Sequence, residues 1–91
     1  APGTPGRAVQ FHAGALDELI EAAEWYAERV PRLGPEFLAE AQRAAARALA
    51  APGEGTPLPG GRRRLLLDRF PYVLIYRPLQ GVGVRVLAVA H

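Results

Sequence analysis

The rhythm of apolar positions changes along the chain. From about Ala13, apolar side chains return every three or four residues. Leu16, Leu19, Ile20, Ala23, Tyr26, Ala27 and Val30 fall on one stripe, the spacing of an amphipathic helix. Asp17, Glu18, Glu21, Glu24 and Glu28 lie off that stripe, and the earliest acids suit the positive end of the helix dipole. Pro31 ends the helix, because proline has no N–H and clashes with the turn before it. A second helix opens around Pro35, which suits a first helical turn, and stops at Pro52-Gly53. Phe37, Leu38, Ala41, Ala44, Ala45, Ala48 and Leu49 make its apolar side. Alanine favours helix and lets helices approach closely. A short Leu-Gly-Pro link predicts an antiparallel helical hairpin.

Before and after the helices the period falls to two. "RAVQF" (7–11) puts Val9 and Phe11 on one face and reads as a first strand. The Pro/Gly-rich stretch 52–61 reads as a loop. Three further strands are expected near 63–68, 72–78 and 83–90, joined by "DRFP" and "LQGVG". Links this short predict an antiparallel meander. The expected architecture is α+β, in the order β-α-α-β-β-β, with a helical hairpin packed on one face of an antiparallel sheet. One domain, 8–91, follows a flexible lead-in, 1–7.

Two features exceed what that architecture requires. The last strands are apolar on both sides: Val73 and Ile75 alternate with Leu74 and Tyr76, and Val84, Val86 and Ala88 alternate with Leu87 and Val89. A half-solvated sheet alternates apolar with polar, so a partner is expected to cover part of the outer face. Curvature and loop cover are the alternative. Trp25 lies about opposite Leu16 on the helical wheel, among Glu18 and Glu21. It either folds over the helix edge or meets the N-terminal segment, or it contacts a partner or a second copy, as tryptophans at interface hot spots do.

Composition narrows the setting. A chain of 91 residues is one small domain with a thin stability margin. Its hydrophobic share of 49% suits a globular protein, and no apolar run is long enough to span a membrane. The absence of cysteine fits a reducing cytoplasm. Net charge is +2, and every basic side chain except the two histidines is arginine, whose planar fork suits carboxylate or phosphate. That excess alone does not establish nucleic-acid binding.

Few residues offer chemistry. The chain has neither Ser nor Cys, so Ser-His-Asp and Cys-His nucleophiles are excluded. No Gly-rich phosphate loop precedes a helix, and neither a metal nor a cofactor is expected. His12 sits at the strand–helix junction and reads as a cap. His91 stands without a visible orienting partner. The arginines Arg62, Arg63, Arg64, Arg69, Arg77 and Arg85 remain. A metal-free ribonuclease built on them would take cations from arginine and proton transfer from Tyr72, Tyr76 or His91, since arginine is a poor base. Alternation places Arg64 with Leu66, and Arg63 with Leu65 and Leu67, so each strand face is basic only at its mouth.

"AGALDELIEAAEWYAERVPRLGPEFLAEAQRAAARAL", followed by "RRRLLLDRFPYVLIYR" and "VRVLAVAH", resembles the RelE/ParE toxin family of bacterial type II toxin–antitoxin systems over roughly residues 8–91. The helix-1 "WY", the "GPEF" opening helix 2, the "R-x-x-L-x-x-F-P-Y-x-x-x-Y" hairpin and the closing "AVAH" stand in the family's order. The resemblance implies an acidic, ParD-like antitoxin that wraps the toxin, with Trp25, Leu66, Val73, Ile75, Leu87 and Val89 as expected partner contacts. It also implies toxin–antitoxin heterotetramers or higher oligomers. The family's RNA-cutting branch carries basic residues on its sheet. Arg64 matches one, but Leu66 and Val73 are aliphatic where others stand. That points to the ParE-like, plasmid-stabilisation branch and a non-enzymatic toxin of DNA gyrase, with Arg62, Arg63, Arg64 and Arg85 as candidate target contacts. The alternatives are a ribosome-dependent, metal-independent endoribonuclease using Arg64, Arg69, Tyr72 and His91, and a non-toxic antitoxin-binding module.

Overall fold

The computed structural model describes residues 8–91; the expected lead-in and Arg7 lie outside them. Strand β1 spans Ala8–Phe11, helix α1 Ala13–Arg29 and helix α2 Leu33–Ala50. Strands β2 (Thr56–Leu58), β3 (Arg62–Leu66), β4 (Val73–Leu79) and β5 (Gly83–Ala90) follow. The helical hairpin covers one face of a sheet ordered β1-β5-β4-β3-β2, as the α+β reading requires. The β3-β4-β5 meander is antiparallel, but β1 lies parallel to β5, so the sheet as a whole is mixed. Parallel pairing follows from connectivity: the hairpin lies between β1 and the meander and returns the chain to β1's side. A further difference lies in the Pro/Gly loop. Thr56–Leu58 pairs with Arg62–Arg64 and forms an edge strand there, where proline's missing N–H is tolerated.

His12 caps α1: its Nδ1 accepts the Gly14 N–H at 3.1 Å. The first turn of α1 holds no acid. Glu18, one turn on, instead accepts the backbone N–H of Val89 at 2.8 Å, satisfying β5 beyond the point where β1 ends. The helices are joined by Val30, Pro31 and Arg32, while Leu33-Gly34-Pro35 already belongs to α2. Gly34 permits the tight crossing: a methyl there would stand 2.9 Å from the Ala27 Cβ and 3.1 Å from the Ala23 carbonyl.

The core joins alanines of both helices (Ala15, Ala22, Ala23, Ala41, Ala44, Ala45, Ala48) to Phe37, Leu65, Leu74, Tyr76, Val84, Val86 and Val89. Small helical side chains let the hairpin lie close on the sheet. This corrects the expected α1 stripe. Leu19, Ala23 and Tyr26 do face the core, but Leu16 and Ile20 are nearly half exposed. The buried line runs instead through Ala15 and Ala22. Tyr26, Phe37, Phe70 and Tyr72 form an aromatic cluster, with ring centroids 4.9–6.2 Å apart.

A second correction concerns β5. The register of β4 and β5 shifts between Ile75 and Tyr76: Ile75 pairs with Ala88, and Tyr76 with Val86. Leu87 is the extra residue of a bulge. Beyond it the inward and outward faces exchange, so Val89 joins Val84 and Val86 in the core at 3% exposure. Val89 is therefore not an outer-face contact, and Ala88 and Ala90 are the residues that share the face of Ile75 and Val73.

Candidate functional site

No helix packs on the sheet face opposite the hairpin among the described residues. Its side chains are set by register. One row holds Leu66, Val73 and Ala90; the next holds Thr56, Arg64, Ile75 and Ala88; a third holds Arg77, Arg85 and Gln10. Arg62, two residues before Arg64, shares this face. Leu66 is 66% exposed, while Val73 and Ile75 are half-buried. Leu87, at the bulge, is also half-buried.

The arginines separate by role. Arg63 points to the helix side and donates to the carbonyls of Gly53 (3.1 Å) and Gly55 (2.7 Å), so it fastens the loop before β2. Arg69 adopts a left-handed backbone, φ 69°, and reaches Glu40 and Glu36, both at 3.1 Å. Arg43 and Arg32 complete that network. Hydrogen bonding from Arg32, aided by Arg69, holds the Glu36 carboxyl below its ordinary pKa. Arg43, aided by Arg69, does the same for Glu40.

Tyr72 and His91 stack edge-to-face, 5.2 Å between centroids. They sit at one end of a cleft of about 700 Å³ between α1 and β5, lined also by Glu18, Glu21, Trp25 and Tyr26. Burial, and secondarily Tyr72, raises the Tyr26 pKa. Trp25 is half exposed, with the Arg29 guanidinium 3.5 Å from its ring centroid. It therefore lies over the helix edge and still presents a face to the cleft. The four residues of the ribonuclease alternative are not brought together. Tyr72 and His91 share the cleft, Arg64 stands on the outer sheet, and Arg69 is bound to α2. Arg77 is an outer-face arginine missing from the expected target set, although alternation from Val73 and Ile75 already puts it on their face. The hairpin register sets it directly opposite Arg85.

This geometry defines a small two-layer α+β protein whose open sheet is half aliphatic and half basic. The chain belongs to the ParE toxin family of type II toxin–antitoxin systems (parDE), whose pattern matches residues 9–91. It is similar in fold to a solved structure of a chromosomal ParDE toxin–antitoxin system from P. aeruginosa. That chain is 18% identical, with a TM-score of 0.79, and the match covers 97% of this chain and 98% of the other. No curated protein matches the sequence significantly. Among the described residues, no helix is long and apolar enough to cross a membrane.

Proposed function

We propose that this chain is a toxin that inhibits DNA gyrase without itself catalysing a reaction, and that a cognate antitoxin neutralises it by binding. One observation carries the choice of target. Leu66 and Val73 are cross-strand neighbours on the outer sheet, so the positions where an RNA-cutting relative would place charge form one continuous aliphatic patch. General acid–base catalysis also needs its groups within hydrogen-bond reach of one substrate, and Arg64, Arg69, Tyr72 and His91 are split between two sides of the molecule. The exposed Leu66 and Trp25 supply apolar contacts for the antitoxin. The test measures two activities of the purified protein: gyrase supercoiling of relaxed plasmid and cell-free translation. The proposal expects supercoiling to stop and translation to continue. Intact supercoiling with translation blocked and mRNA cut would refute it.

A further inference from the structure

Helix α1 runs against the net positive charge of the chain. It carries Asp17, Glu18, Glu21, Glu24 and Glu28 against one arginine, Arg29. Arg29 pairs with Glu28 and donates to the Trp25 carbonyl, and it reaches no other acid. Glu18, Glu21 and Trp25 follow at spacings of three and four, so they share one line of the helix. That line forms the α1 wall of the cleft beside β5. Glu18 uses one carboxylate oxygen to accept the Val89 N–H. Glu21 is exposed and makes neither ion pair nor hydrogen bond among the described residues. No arginine lines the cleft among the described residues, so its two carboxylates have no cation from within the chain.

The rest of the lining is aromatic and selects the kind of cation. Trp25, Tyr26, Tyr72 and His91 follow one another edge-to-face, with successive ring centroids 5.1, 6.2 and 5.2 Å apart. Ring faces carry negative charge density and attract cations. The Trp25 ring already takes the Arg29 guanidinium, 3.5 Å from its centroid. The hydroxyls of Tyr26 and Tyr72 make no hydrogen bond among the described residues, which leaves two further acceptors. An anion would be repelled by the carboxylates, and no three metal-ligating side chains converge among the described residues. At about 700 Å³, the cleft has the size of a small-ligand pocket. A guanidinium suits these walls better than an ammonium: it is planar, weakly hydrated, stacks on rings and donates to carboxylates as a fork. We propose that this cleft binds a guanidinium group, with Glu21 and the second oxygen of Glu18 taking its N–H donors and the aromatic row taking its flat face. The group arrives either on a free small molecule or at the tip of a partner's arginine side chain. The site lies apart from the outer sheet, and the inference needs neither the gyrase reading nor the antitoxin reading.

The chain has one tryptophan, so its indole N–H gives a single NMR signal that reports on the cleft directly. The isotope-labelled whole chain is titrated at low salt with propylguanidine, with propylurea as its uncharged isostere, and with a capped Gly-Arg-Gly peptide. Propylguanidine is expected to move the indole signal and to bind at least about fivefold more tightly than propylurea. Glu21→Gln should weaken propylguanidine by about threefold or more at an unchanged melting temperature. Glu24→Gln, on the same helix but facing a different groove, should leave it as it was. The peptide distinguishes the two sources: binding as tight as that of propylguanidine admits a partner's arginine, and much weaker binding confines the site to free small molecules. Equal binding of propylguanidine and propylurea would overturn the proposal. So would an indole signal that stays in place at about 50 mM propylguanidine, or an equal loss in Glu21→Gln and Glu24→Gln, which would mean only a diffuse attraction to an acidic helix.

Discussion

Tyr76 offers a sharp test of how the sheet holds its edge. The side chain is fully buried on β4. Its hydroxyl donates to the Pro52 carbonyl at 2.8 Å and accepts the Gly55 N–H at 3.1 Å, pinning the end of α2 and the start of β2 with one oxygen. Tyr76→Phe keeps the ring and removes both bonds. The buried Gly55 N–H is then left without a partner, at about 1–3 kcal/mol, while the half-buried Pro52 carbonyl loses only a net bond, about 0.5–1.5 kcal/mol. We expect a loss of about 2–3 kcal/mol by urea unfolding, out of a total of about 5–14 kcal/mol for a chain this size. At about 4–8 °C per kcal/mol, the melting temperature should fall by about 10–20 °C. Tyr72→Phe is the control, because that hydroxyl makes no hydrogen bond among the described residues. If Tyr76→Phe stays within about 0.5 kcal/mol of the parent, the usual spread of surface changes, the clamp does not exist as described.

Gly83→Ala should destabilise by about 3 kcal/mol or more, since φ is +123° and a methyl would collide with the backbone of Ala8; hydrogen exchange should locate the damage in β1. Glu36 and Glu40 have folded-state pKa values below the ordinary 4.5, so their contribution is present above that value and lost as pH falls through the folded values. A urea midpoint that drops on acidification below about pH 4.5, with a shallower drop in Glu40→Gln, is the expected result. Trp25→Ala removes the edge contact with Tyr26 and the Arg29 stack, costing about 0.5–2 kcal/mol of stability. It should weaken cognate antitoxin by at least about 2 kcal/mol in calorimetry.

The helices, the last two strands and the helix-capping role of His12 were legible because they follow from local rules of period, capping and proline placement. What escaped is decided by contacts between elements. The apolar stripe of α1 is broader than the sheet can cover, and alanine's small volume makes the Ala15–Ala22 line the one that sits down, leaving Leu16 and Ile20 outside. One bulge at Leu87 reversed the facing of Val89, since strict alternation has no way to count an inserted residue. The pairing of Thr56–Leu58 with Arg62–Arg64 was hidden because it lies in a stretch, 52–61, of three prolines and four glycines. On the outer sheet, the register sets Leu66 opposite Val73. The opposition of Arg77 and Arg85 needed the register of two strands at once.

The short β2 has a consequence for how this protein meets others of its kind. An outermost strand with free N–H and C=O groups invites identical chains to add to it without limit. Here Pro57 sits inside that strand and Pro59 directly after it, so two amide donors are missing from the row a neighbour would read. The strand at the opposite margin, β1, is only four residues long. Growth by lateral stacking into fibres is therefore discouraged at both margins. The molecule can then leave its partly aliphatic outer face uncovered without either margin offering a long row of amides to a neighbouring copy.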